Sequence, residues 1–168
     1  LQVVPAVVAL VVFVAVTHVL YVGRNAEKMA LNTGDGPAVS GGEVAAMAEL
    51  GRIVPPGSKV MNDRYDGSVW MYALDGVRPV AGHYDATNLG DTDIGLLERS
   101  FNRYAVDPAV RDAVRRLDVQ YAVVGQGFLR GDSTRAAGLV GLDDQPWLEV
   151  VYRSPQAVIY RVLPLPPG

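Results

Sequence analysis

The sequence predicts an α/β fold: one N-terminal transmembrane helix, then a layered α/β domain with a mixed, partly parallel sheet and a C-terminal β-hairpin. Three observations predict it. Residues 3–22 contain no Asp, Glu, Lys or Arg, and ten of those twenty residues are valine. Short β-rich runs then alternate with helical patterns, which is the signature of strands joined by helical crossovers. Two final β-rich runs are separated by a three-residue turn.

A helix of about 20 residues rises about 30 Å, the thickness of a bilayer's hydrocarbon core. Lipid offers the backbone no hydrogen bonds, and a helix satisfies its own within one segment. A buried core helix and a signal sequence are the competing readings of residues 3–22. The first is rarely apolar on every face over such a length. The second needs a basic stretch before the run and a small-residue cleavage site after it. A start at Leu1 rather than Met, with no basic residue before the run, is what a piece of a longer protein would have. Pro5 falls in the first turns, where a missing N–H matters little. Tyr21 suits the aromatic belt at a membrane surface, and His18 reads as an interfacial or helix-packing residue.

The expected organisation is a transmembrane helix at 1–22, a juxtamembrane linker at 23–42, an α/β domain at 43–163 and a tail at 164–168. Arg24 and Lys28 flank the span and, by the positive-inside rule alone, pull this side toward the cytoplasm. The remainder is long enough for one domain with its own core. A net charge of −3 without a basic patch argues against nucleic acid as a partner. The absence of cysteine excludes disulfides and thiolate metal sites.

Gly34, Gly36, Pro37, Gly41 and Gly42 interrupt any helix continuing from the span. Ser40 and Glu43 have capping-box spacing, and Val44, Met47, Ala48, Leu50, Ile53 and Val54 form the apolar stripe of the helix they open. Pro55-Pro56-Gly57 stops it. Residues 59–62 read as a strand, 63–67 as a turn-rich loop, and 68–74 as a short helix carrying Trp70, Met71 and Tyr72. A second strand is expected at 77–81 and a polar loop at 83–93. Thr92 or Asp93 caps a helix running to about Tyr104. Asp107-Pro108 marks another start, an N-cap followed by proline at the first helical position. Residues 119–124 are a continuous apolar run suited to the centre of a sheet. The stretch 128–142 reads as loop with a weak helix at 135–139. The hairpin comprises 148–153 and 157–163, joined by Ser154-Pro155-Gln156.

Several segments together carry a resemblance: Lys59-Val60-Met61-Asn62-Asp63, Asp66-Gly67-Ser68-Val69-Trp70-Met71-Tyr72, Gly76-Val77-Arg78-Pro79-Val80 with His83-Tyr84, Val119-Gln120-Tyr121-Ala122-Val123-Val124-Gly125, and the hairpin strands Val150-Val151-Tyr152 and Val158-Ile159-Tyr160-Arg161-Val162. The ensemble resembles the C-terminal domain of an uncharacterised family of multi-spanning actinobacterial membrane proteins, which look like GT-C glycosyltransferases. Such enzymes use lipid-phosphate sugars outside the membrane, and their catalytic carboxylate lies in an early extracytoplasmic loop. No residue here matches that position, so the resemblance carries over no catalytic role and no cofactor. It implies an extracytoplasmic domain in the cell envelope, against the local charge of Arg24 and Lys28. Its partners would be membrane lipid, the remaining transmembrane helices of the parent chain, and a lipid-linked sugar or envelope glycan. The alternative is a membrane-anchored binding or interaction module without transferase activity.

Ligands of open α/β sheets bind beyond the carboxyl ends of the strands. Those ends are the segments 63–68, 82–85 and 125–127. If the strands are parallel neighbours, Asp63, Asp66, His83 and Tyr84 converge on one edge, with groups able to pair with sugar hydroxyls or a cation. The competing reading makes Asp63 and Asp66 turn and cap residues. Asp91-Thr92-Asp93 has the spacing of some metal–sugar sites but reads equally as a helix cap, and no metal site is assigned. Trp70 and Trp147 are candidates for stacking on sugar rings. Trp70, in an apolar helix, reads rather as core, and Trp147 fits either role.

Overall fold

The computed structural model describes residues 3–23, 25–26, 39–82, 89–128 and 133–165. The chain divides into two compact units, Leu1–Gly36 and Pro37–Gly168. In the first, helix α1 (Val3–Thr17) passes into a π-helical stretch, His18–Gly23. Its large side chains are exposed all round, among them Val4, Leu10, Val11 and Phe13. The 15 residues of α1 rise about 22 Å. Among the described residues, no helix is long and apolar enough to cross a membrane.

The second unit is a mixed α/β domain around a five-stranded sheet of order β2-β1-β3-β5-β4. The strands are β1 (Lys59–Met61), β2 (Arg78–Pro79), β3 (Val119–Gly125), β4 (Leu148–Arg153) and β5 (Ala157–Val162). β1 runs parallel to both β2 and β3, with Lys59 opposite Arg78 and Met61 opposite Ala122. β5 is antiparallel to β3 and β4, and the hairpin closes through Ser154, whose N–H donates to the Ala157 carbonyl at 2.9 Å. The expected strand over 77–81 is shorter than its sequence suggests. Pro79 has no N–H to give the ladder, which confines this segment to the sheet edge.

The helices start where the sequence places their caps. Ser40 and Glu43 close a reciprocal capping box on α2 (Gly41–Ile53). A 3₁₀ turn (Ser68–Trp70) leads into α3 (Met71–Asp75). Thr92 caps α4 (Asp93–Ser100), accepting from the Gly95 N–H at 3.1 Å. Asp107 caps α5 (Pro108–Arg116), with proline in its first turn. After α5 the chain turns at Asp118, held at φ 48°, a left-handed conformation that Asp tolerates better than most residues. The Asp118 carbonyl accepts from Lys59 N–H at 3.0 Å, so this turn also fixes the start of β1.

Two cores lie on opposite faces of the sheet. On β5, Val158, Tyr160 and Val162 point to one side, Ala157 and Ile159 to the other, as strand alternation requires. α4, the 3₁₀ turn Phe101–Arg103 that follows it, and α5 cover the first face with Leu97, Phe101, Val110, Ala113 and Val114. α2 and α3 cover the second with Ala46, Met47, Leu50 and Met71. The weak helix expected at 135–139 is a single 3₁₀ turn, Ala137–Leu139. It lies so close to α4 that a Cβ on Gly138 would sit 2.6 Å from Phe101 N and 2.8 Å from Ser100 N. Only glycine permits that approach.

Trp70, expected in the core, lies outside, and Trp147, which by sequence fits either role, lies inside. Trp147 is buried, edge-on to Phe101 with ring centroids 5.3 Å apart and tilted against Tyr104 at 4.8 Å. Its indole N–H donates to Gln145 Oε1 at 2.9 Å. Trp70 is 52% exposed. α3 is so short that only Met71 reaches the core, which leaves its other apolar side chains in solvent.

Candidate functional site

Because β2, β1 and β3 are mutually parallel, the loops leaving their carboxyl ends emerge along one edge. A 3₁₀ turn and one short helix are enough for the parallel return from β1 to β2. Asn62, the first residue beyond β1, ties these two strand ends together. Its Oδ1 accepts from the Ala81 N–H at 2.8 Å and its Nδ2 donates to the Ala81 carbonyl at 3.1 Å.

Asp63 and Asp66 follow in the same loop, and both side chains are fully buried. Each closes a local turn. Asp63 Oδ1 accepts from Tyr65 N–H at 2.9 Å, and Asp66 Oδ1 from Ser68 N–H at 3.0 Å. Their second oxygens face across the sheet edge. Asp66 Oδ2 accepts from Gly125 N–H at 2.9 Å, at the end of β3, and Asp63 Oδ2 from Ala136 N–H at 2.8 Å.

Between them lies Arg135. Its Nη1 donates to Asp66 Oδ2 at 2.6 Å and to Asp63 Oδ2 at 3.3 Å, and its Nη2 donates to the Gly125 carbonyl. The guanidinium also lies over the Phe128 ring, 4.8 Å from its centroid, within reach of a cation–π interaction. A third carboxylate approaches from α2: Glu43 Oε1 accepts from Gly127 N–H at 2.9 Å while its Oε2 closes the capping box. A Cβ on Gly125 would meet the Glu43 carboxylate, so a larger residue at the end of β3 would push Glu43 away from Gly127.

Three buried carboxyl groups thus gather around the end of β3, with the Arg135 guanidinium beside two of them. Burial pushes the Asp66 carboxyl above its ordinary value, against the pull of Arg135 and the Ser68 and Gly125 hydrogen bonds. The Arg135 side chain itself is 18% exposed. It borders a groove of about 510 Å³ whose walls include Gln126, Asp143, Arg153, Ser154 and Tyr160. Inside the groove Tyr160 donates to Asp143 Oδ1 at 2.8 Å, and Arg153 pairs with the same carboxylate. Burial first, and then the Asp143 hydrogen bond, raise the Tyr160 phenol from 10.0 to about 12. The Arg153 and Tyr160 bonds hold Asp143 below its ordinary value. The groove therefore offers guanidinium, carboxylate, carboxamide and hydroxyl groups, a donor and acceptor set matched to a polyol.

Of the four residues expected at this edge, Asp63 and Asp66 meet there. His83 and Tyr84 lie outside the described residues. The two carboxylates are enclosed, and each of their oxygens accepts from a protein N–H, so they orient Arg135 and the loop rather than line the groove. Arg135, Asp143 and Arg153 escaped sequence reasoning, and Glu43 reads from the sequence only as a cap, not as a partner of Gly127. Arg135 stands 69 positions from Asp66 in a stretch read as loop, and no local pattern pairs them. The Asp91-Thr92-Asp93 triplet is a cap and an ion pair. Thr92 caps α4, and both Asp93 oxygens accept from Arg116, at 2.9 and 2.6 Å. Among the described residues, no cluster of three or more His, Asp or Glu is arranged to hold a metal ion.

A sequence model described as a family of unknown function (DUF6541) matches residues 1–163. No curated protein matches the chain. Among solved structures, the C-terminal globular domain of an oligosaccharyltransferase from Archaeoglobus fulgidus is similar at 10% sequence identity. That match covers 70% of this chain and 94% of the other, with a TM-score of 0.47.

Proposed function

The chain belongs to the DUF6541 family, and from that premise we propose that it is the last span and non-catalytic extracytoplasmic domain of a multi-spanning, GT-C-like envelope protein. In this reading the α/β domain binds or positions a lipid-linked sugar or envelope glycan. The observation that carries it is the groove between the end of β3 and the β4–β5 hairpin, with Arg135, held by Asp63 and Asp66, at its border. His83 and Tyr84, which follow β2 in the sequence, stay among the proposed ligand-binding residues with Asp63 and Asp66. The family match includes the apolar N-terminal segment together with the domain, which supports treating them as one unit. Large side chains exposed all round α1 need an apolar environment. The membrane reading takes α1 and the following π-helical stretch as one anchor. The extracytoplasmic side rests on the sequence resemblance.

Two measurements test this. Ala109, exposed on α5, is replaced by cysteine in a chain with no other thiol. Ala109→Cys should react with an impermeant thiol reagent in intact cells, and reaction only after lysis would reverse the side. For the site, the chain is titrated with a water-soluble short-chain prenyl-phosphate sugar. Gln126→Ala and Arg153→Ala should each weaken binding roughly tenfold, the effect of losing one or two hydrogen bonds. Unchanged binding in both would remove the groove from the function.

A further inference from the structure

The two helical layers of the domain present opposite surfaces. In the layer of α4, α5 and the 3₁₀ turn Phe101–Arg103, six residues are exposed, and four are arginines: Arg99, Arg103, Arg115 and Arg116. In the layer of α2, α3 and the 3₁₀ turn before α3, ten residues are exposed, and the only charged one is Arg52. The others include Val44, Ala45, Ala48, Trp70, Tyr72 and Leu74. Trp70 and Leu74 are one helical turn apart and 52% and 53% exposed, while Tyr72 is 63% exposed. Met71, between them, fills the core, so this outward apolar face is additional to the packing face.

We propose that this face docks the domain on the interfacial layer of a lipid bilayer. The inference rests on the reading of α1 as a membrane anchor. Trp and Tyr beside aliphatic side chains are the composition that settles at the level of lipid headgroups, where an amphipathic ring has one apolar and one wet side. Nine of its ten exposed residues are uncharged, and Trp70, Tyr72 and Leu74 are each more than half exposed, which suits lipid better than a sugar. The chain supplies the tether. Only residues 24–40 separate the π-helical stretch from α2, so α2 starts at most about 60 Å from the end of the apolar segment. The near-absence of charge makes the contact one of apolar insertion. It should form on zwitterionic lipid and resist salt, because nothing in it depends on screened charge.

The full chain is reconstituted in phosphatidylcholine vesicles with brominated acyl chains, alongside Trp70→Phe. Trp147 is buried, so the difference between the two proteins reports Trp70. The expected result is loss of most of the Trp70 emission to the brominated lipid, at low and high salt alike. A chain that survives an alkaline carbonate wash but keeps its Trp70 emission overturns the docking while leaving the anchor intact. A chain stripped by the wash overturns the anchor. Residues 37–168, which hold both cores, then decide the docking: quenching of Trp70 on mixing with the same vesicles sustains it, and unchanged emission overturns it. Self-association of that fragment in lipid-free buffer, dispersed by Trp70→Ser, also overturns it, because the face is then covered by a second copy.

Discussion

Arg135 Nη1 lies 2.6 Å from Asp66 Oδ2, joining a side chain beyond the central strand to a carboxylate 69 positions earlier in the sequence. The same nitrogen reaches Asp63, and Nη2 reaches the Gly125 carbonyl, so one guanidinium ties the loop after β1 to the end of β3. Both carboxylates are fully buried. Taking a charge out of water is tolerable only with a partner in place.

Arg135→Met should therefore destabilise the domain by about 3–5 kcal/mol, since it leaves two enclosed carboxylates without their cation. Arg135→Lys keeps the charge but lacks the planar fork that spans three acceptors, and should recover part of the loss. Urea unfolding of residues 37–168 at neutral pH measures both. Equal stability of Arg135→Met and wild type would show the cluster to be dispensable.

Tyr160 gives the domain an alkaline limit. Its folded-state pKa of about 12 lies above the ordinary 10.0, so the native state holds the phenolic proton more tightly than the unfolded chain. Its contribution is complete below pH 10 and is lost as pH rises through about 12. Denaturant midpoints across this range should fall for the wild type and fall less for Tyr160→Phe. Asp143→Asn should bring the phenol down only partway, because burial is the larger cause. Phenolate absorbance reads the shift directly.

Truncation of the two tryptophans should separate widely. Trp147→Ala removes an indole packed between Phe101 and Tyr104 and should cost about 3–5 kcal/mol. Trp70→Ala removes a half-exposed ring and should change the stability of residues 37–168 in lipid-free buffer by no more than about 0.5 kcal/mol. Similar losses in chemical denaturation would contradict the placement of one inside and one outside.

The sequence determined what depends on near neighbours. The Ser40–Glu43 capping box, the Asp107-Pro108 helix start, the central position of residues 119–124 and the closing hairpin are each written within a few residues, and hydrogen bonding or alternation fixes them locally. The parallel pairing of β1 with β2 and β3 was conditional in the sequence, because a short crossover permits either direction until the helices pack. Tertiary structure alone decided the rest. It brought Arg135 and Glu43 to the loop of Asp63 and Asp66 across the sheet edge. It also placed Trp147 in the core and left Trp70 outside. Both outcomes depend on which surfaces two distant segments present to each other. Local composition points the wrong way here, since the exposed Trp70 lies in the apolar run 69–74 and the buried Trp147 follows Asp143, Asp144 and Gln145, and only the packed sheet distinguishes its two sides from the solvent.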